Sequence, residues 1–348
     1  MSVPIKDSDT GHWVNRSPLS LRPYLQLSRL DRPVGYWLLT LPGWIGLAFA
    51  SLSHGFPVGD IKWAMLILIG AIAMRGAGCT YNDIVDQDLD KQVERTALRP
   101  LPAGTVTTKQ AWIWVFAQCA VGLIVLLCLP RLAQIISLCS IPLVAAYPFM
   151  KRITWWPQIW LGMTFNWAVL VAYAAKTGTV SWPLFILYAG LIFWTVGYDT
   201  IYACQDIEDD MKIGVKSTAR RFGKRVKLGV GICYGIFGIA SFLAYIFEAS
   251  NILTSEIRSH FPYAGPKDFE ISSLLLLLIW PTLILQIVLI EPPNPKRSLK
   301  LFKSNSWLAV LIICLIYTAA SVFHDTELMD YSSYERIGTI SEHIFQND

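Results

Sequence analysis

The chain has 348 residues, 54% of them hydrophobic and 16% charged, with a formal net charge of +4 and a mean hydropathy of +0.45. A soluble domain carries about 25% charged residues, so an ordinary water-soluble fold is excluded. The seven cysteines (79, 119, 128, 139, 204, 233 and 314) lie in or beside apolar runs without a Cys-x-x-Cys pair, and the five histidines are scattered. That pattern supports neither a disulfide framework nor a zinc site.

Residues 1–26 contain no apolar core of a secretory signal, and Asp7 and Asp9 argue against a mitochondrial transit peptide. We read them as a cytoplasmic segment, and the protein as one of a bacterial inner membrane. An uncharged apolar stretch of about 18 residues or more can cross the ~30 Å hydrocarbon core. Such runs occupy 33–59, 110–130, 132–150, 153–175, 177–198, 228–247, 271–290 and 304–323, and a further one, 63–82, is broken only by Arg75. The expected class is therefore all-α, a polytopic bundle of about nine transmembrane helices. It forms one membrane domain over 27–323, followed by a tail over 324–348. The loop 248–270 and the tail carry no concentrated chemistry.

Lys and Arg near helix ends favour the side of the membrane that needs no translocation. Counted along nine spans, twenty-two basic residues fall on the side of the N-terminus and six on the other. The rich side holds Lys6 to Arg32, Lys91 to Lys109, Lys151 with Arg152, Lys212 to Lys227 and Lys296 to Lys303. The expected orientation has the N-terminus in the cytoplasm and the C-terminus outside.

Two of these basic loops open on acidic helix ends. The second span runs into Tyr81-Asn82-Asp83-Ile84-Val85-Asp86-Gln87-Asp88-Leu89-Asp90. Asn82, Asp86 and Asp90 are four apart and share one face of a continuing helix. The sixth span ends in Asp199 and, past Cys204, in Gln205-Asp206-Ile207-Glu208-Asp209-Asp210, with Asp199, Asp206 and Asp210 near one face. Like charges at these spacings repel, so each segment calls for a cation. Magnesium takes carboxylate and amide oxygens together with substrate phosphates. Two such faces flanked by Arg and Lys suit a diphosphate bridged to the protein by Mg2+. The plainer alternative is a solvated acidic helix end, ion-paired to its own loop. Arg75, the one charge well inside a span, lies seven residues before Asn82 on the same face. It either points toward the acidic site or pairs with an aspartate there.

At these residues the chain resembles the intramembrane prenyltransferases of the UbiA superfamily, from Leu30 to about Arg221. The superfamily's first motif stands as Asn82 to Asp90 followed by Arg95-Thr96-Ala97-Leu98-Arg99-Pro100-Leu101, and its second as Asp206 to Asp210. Two stretches are similar to the branch acting on 4-hydroxybenzoate. One runs from Tyr147 to Thr154 with Pro157, Gln158, Leu161 and Gly162; the other runs from Tyr198 to Ala203 and on to Lys216-Ser217-Thr218. Asn166 departs from the pattern, which calls for a small residue there.

The resemblance implies a helical bundle open sideways to membrane lipid. The expected activity is Mg2+-dependent transfer of a polyprenyl group from polyprenyl diphosphate to the ring carbon ortho to the phenol of 4-hydroxybenzoate, as in ubiquinone biosynthesis. Asn82, Asp86, Asp206 and Asp210 would hold the metal, with Asp83, Asp90 and Asp209 as supporting or additional ligands. Lys91, Arg95, Arg99 and Arg75 would bind the diphosphate. Arg152 and Tyr202 would hold the aromatic acid, and Asp199 would position the phenol or take a proton. Asp199, Asp86 and Asp206 are thus the catalytic candidates. For Arg152 the alternative is an ordinary charge anchor at the membrane face. Two other functions compete: a sister prenyltransferase with another ring acceptor such as haem, and a cation-coupled transporter. No nucleic-acid partner is expected.

Overall fold

A computed structural model describes residues 11–55, 59–92, 96–205, 207–212, 214–254, 273–274, 276–292 and 294–345; for 208–210, 252–254 and 322–345 it describes the backbone alone. Every regular element among the described residues is helical. A short turn over Trp13–Arg16 and α1 (Arg22–Leu27) precede α2 (Val34–His54), α3 (Asp60–Val85) and α4 (Gln87–Asp90). Then come α5 (Thr108–Leu127), α6 (Arg131–Cys139), α7 (Ile141–Ile153), α8 (Pro157–Thr177) and α9 (Trp182–Ala203). The chain ends with α10 (Ile207–Lys212), α11 (Thr218–Phe222), α12 (Val226–Thr254), α13 (Ile279–Leu289) and α14 (Pro295–Phe345).

Among the described residues seven helical segments are long and apolar enough to cross a membrane, and with α8 and α13 they number about the expected nine. The fourth span is two helices, because Pro142 has no N–H to donate to the Leu138 carbonyl. α8 is long enough but less apolar because it carries Gln158, Asn166 and Lys176; all three side chains are buried and bonded inside the bundle. The apolar helix around α13 is short, Leu276–Leu289. In contrast, α14 continues as one helix well past residue 323, where the sequence reading placed the start of a tail.

The core lies among α2, α8, α9, α12 and α14, where Leu41, Ile45 and Phe49 meet Tyr173, Trp194, Tyr198, Tyr234, Phe237 and Ile312. Close approach of α2 and α8 requires Gly46, since a Cβ there would sit 2.4 Å from the Val169 carbonyl oxygen. The outer helices show the reverse pattern. Only 17% of α5's span is buried against 67% of α2's, and Ile113, Phe116, Ile124 and Leu127 stand exposed along it. Continuous apolar surface of that extent is untenable in water and fits hydrocarbon.

Contacts divide the bundle into two ends. At one, the ends of α3, α7 and α9 meet the start of α8. At the other, Lys176 reaches Asp60 at 2.5 Å and Ser51 at 2.6 Å, while Tyr173 donates to Glu248 at 2.9 Å. This second cluster ties α2, α3, α8 and α12 together on the side away from the acidic motifs.

Candidate active site

The acidic segment keeps its helical register through a break. α3 ends at Asp86 (φ −99°, ψ 6°), yet Asp86 N–H donates to Asn82 O at 2.9 Å and Asp90 N–H to Asp86 O at 2.8 Å. Asn82, Asp86 and Asp90 therefore hold the four-residue spacing read from the sequence. Asp83, Asp86 and Asp90 are all buried, at 0%, 1% and 8% exposure. Buried carboxylates need compensating charge and hydrogen bonds, and basic residues distant in sequence provide them.

Two separate clamps result. In the first, Arg29 Nη2 reaches both oxygens of Asp83, at 2.6 and 2.8 Å, and Arg99 Nη1 bridges Asp83 at 3.4 Å and Asp90 at 2.9 Å. Burial works against the Arg29 charge, but the neighbouring carboxylates of Asp83, Asp31 and Asp90 outweigh it and raise its pKa. Burial pushes the Asp90 carboxyl up, with Arg99 pulling the other way. In the second clamp, Lys151 and Arg152 converge on Asp86, with Arg152 Nη2 at 2.9 Å from Oδ1 and 3.1 Å from the Val85 carbonyl. Asp83 and Asp86 are three residues apart, and they belong to different networks.

A cleft of about 290 Å³ opens beside the second clamp, lined by Leu89, Lys151, Arg152, Gly214 and Val215. Lys216 N–H donates to Lys151 O at 3.0 Å, and Thr218 N–H to Gln158 Oε1 at 3.1 Å. Thr200 and Thr218 share a hydrogen bond of 2.5 Å. The second sequence stretch, Gly214 to Thr218, is thereby fastened to α7, α8 and α9 beside Asp86.

Deeper in the bundle, the Arg75 guanidinium lies against Gly35 and over the Phe165 ring at 5.1 Å, and its buried Nε has no hydrogen-bond partner. Tyr147 lies near enough to Arg75, Asp199 and Asp86 to feel their charges, and Tyr198 near enough to Asp199 and Arg75. The half-buried Asn82 has no side-chain partner among the described residues. Tyr202 packs on Phe302, ring centroids 4.6 Å apart. Lys91 is exposed and 3.5 Å from Asp88.

Arg95 and Asp206 lie outside the described residues, and Asp209 and Asp210 are described only as backbone of α10. Among the described residues no three acidic, His or Cys side chains form a metal-holding group. Asn166 is fully buried and donates to Gly162 O, Leu191 O and Thr195 Oγ1 at 2.8, 3.0 and 2.7 Å, tying α8 to α9.

The sequence reading did not single out Arg29 or Lys151 as parts of the site. Arg29 reads in the sequence only as a charge on the basic side, and Lys151 as such a charge within the Tyr147 to Thr154 stretch, because their partners lie 54 and 65 residues away.

The fold and the site define a multi-pass, all-helical membrane protein with a base-clamped acidic cluster at one end of the bundle. The model of the UbiA prenyltransferase family matches residues 39–256, and the chain belongs to that family. It is 48% identical over 217 residues to the human mitochondrial 4-hydroxybenzoate polyprenyltransferase, covering 62% of this chain and 57% of the human one. The Drosophila melanogaster protein of the same name is 34% identical over 324 residues, 93% of this chain and 78% of that one. The chain thus spans little more than half the length of the human relative. A solved UbiA homologue from Archaeoglobus fulgidus, bound to DMAPP and Mg2+, shares the fold with a TM-score of 0.62 at 18% identity, covering 86% of this chain and 99% of that one.

Proposed function

We propose that this chain transfers a polyprenyl group from polyprenyl diphosphate to 4-hydroxybenzoate, giving 3-polyprenyl-4-hydroxybenzoate and diphosphate for ubiquinone biosynthesis. The observation that carries the reading is Asp86, a buried carboxylate held between Lys151 and Arg152 at the mouth of a cleft, in the family's first motif. Relatives 48% and 34% identical to this chain are named for this reaction.

The residues fit a magnesium ion: carboxylates and an amide are hard oxygen donors, and the Asn82 amide is uncommitted. Held by Asn82, Asp86, Asp206 and Asp210, with Asp83, Asp90 and Asp209 behind them, Mg2+ would bridge protein to diphosphate and offset the leaving group's charge. Lys91, Arg95 and Arg99 bind phosphate oxygens, with Arg75 contributing from inside the bundle. Arg99 has Nη1 committed to Asp83 and Asp90, which leaves Nη2 for phosphate. These cations stabilise the diphosphate as the allylic C–O bond breaks and its electron pair leaves with oxygen.

The ring carbon ortho to the phenol then bonds to the allylic carbon, and loss of the proton from that ring carbon restores aromaticity. Asp199 positions the phenol or receives that proton. Arg152 keeps Nε and Nη1 for the acid's carboxylate, with Tyr202 beside the ring. The basic loops cap the site and exclude water, which would otherwise quench the cation.

Residues 27–323 form the catalytic membrane domain, with the segment 1–26 on the side of the basic loops. Its curated relatives are named mitochondrial, which favours a mitochondrial membrane over the bacterial inner membrane expected from the sequence. The charge bias supports a site on the side that needs no translocation.

Purified protein should bind a prenyl diphosphate in the presence of Mg2+ and lose at least tenfold in affinity with chelator. A transporter using the aspartates for a driving cation has no reason to bind the diphosphate. Its failure to bind under any metal condition would overturn the reading.

A further inference from the structure

On the flank of the first clamp, the segment before α2 folds back onto α5. Leu27 is buried against Leu101, Val106 and Ala111, Trp114 Nε1 donates to Ser28 Oγ at 2.8 Å, and the Tyr24 and Trp114 rings lie 5.5 Å apart. The segment is therefore fixed at the level of α5's first two turns, where a membrane span meets the headgroup region.

Its outward side stays apolar, with Trp13, Leu19 and Leu21 exposed at 57%, 74% and 43%. Between segment and helix runs an open cleft of about 390 Å³ lined by Ser20, Leu21, Tyr24, Gln110, Ile113 and Trp114. Its walls are mostly apolar, with Ser20 and Gln110 as polar groups. Gln110 Oε1 accepts from the Thr107 N–H at 2.9 Å in a helix cap, so its NH₂ is left to donate.

Among the described residues, the charges on the two segments that line the cleft are all basic. Arg16 and Lys109 are exposed, Arg22 is half-buried, and neither 11–30 nor 103–116 contains an acidic residue. Thr108, at the start of α5, donates to Gln87 of α4, whose Asp88 is paired with Lys91.

We propose that this cleft binds an anionic phospholipid. One acyl chain lies along Leu21, Tyr24, Ile113 and Trp114, Ser20 and Gln110 donate to the ester region, and Arg16, Arg22 and Lys109 face the phosphate. A water-exposed protein partner is a poorer match, because the cleft opens beside a helix whose flank faces hydrocarbon.

The test uses the full chain in vesicles containing a photoactivatable phosphatidylglycerol or the matching phosphatidylcholine, with diazirine on the acyl chain and crosslinks mapped by peptide. The phosphatidylglycerol should label 19–24 and 110–114 several-fold more than the phosphatidylcholine. The double variant Arg16→Gln/Lys109→Gln should abolish that preference, and Ile113→Trp, which fills the cleft, should lower both. Equal labelling by the two lipids, or a preference unchanged in the double variant, would overturn the proposal. So would displacement of the label by a prenyl diphosphate, which would assign the cleft to the donor's tail.

Discussion

Replacing Asp86 by Ala should abolish measurable prenyl transfer while leaving a folded protein. The buried Asp86 carboxylate is the point on which Lys151 and Arg152 converge, and it is one of the two proposed metal-holding residues whose placement is described. Removing a group that stabilises a developing charge lowers turnover by about 10²–10³-fold, and losing a metal ligand should take the effect to that level or beyond. Stability should suffer less, because Lys151 and Arg152 are 28% and 44% exposed and can turn to water once released. Initial rates in membranes, set against the thermal midpoint of the same purified variant, separate the two effects. A variant that keeps a tenth or more of wild-type turnover would remove Asp86 from the reaction.

Asp83→Ala should do the opposite, chiefly unfolding the protein. Arg29 and Arg99 are only 11% and 12% exposed and have no water to retreat to, so losing Asp83 strands the buried Arg29 guanidinium and leaves Arg99 with Asp90 alone. Breaking a buried pair in this way costs about 3–5 kcal/mol. The variant should appear as low yield and a lowered thermal midpoint in detergent. Asp83→Asn should recover part of that loss by keeping one acceptor oxygen for Arg29. A fully stable Asp83→Ala protein would show that the clamp contributes little to the fold.

The contrast between these neighbouring aspartates bears on what the sequence made legible. The four-residue spacing of Asn82, Asp86 and Asp90 is a local property of a helix, and it survives the break at Asp86 because two backbone hydrogen bonds bridge it. Which base answers which acid is non-local. Arg29 and Lys151 look like two among many loop charges until the fold brings them to Asp83 and Asp86. Span count was likewise readable from apolar runs, but the division of the fourth span at Pro142 and the shortness of the helix around α13 depend on backbone geometry that hydropathy does not record. Asn166 looked out of place for a cavity wall; its amide instead satisfies three acceptors between α8 and α9, which only the packing of those helices reveals.

Product analysis tests the central claim most directly. The purified chain, reconstituted with Mg2+ and a polyprenyl diphosphate, is given 4-hydroxybenzoate, and the extracted lipid is examined by mass spectrometry and NMR. The account predicts 3-polyprenyl-4-hydroxybenzoate, formed with Mg2+ and absent with chelator. Well-inserted protein that forms no such product with several prenyl chain lengths, or that prenylates another ring acceptor instead, would contradict it.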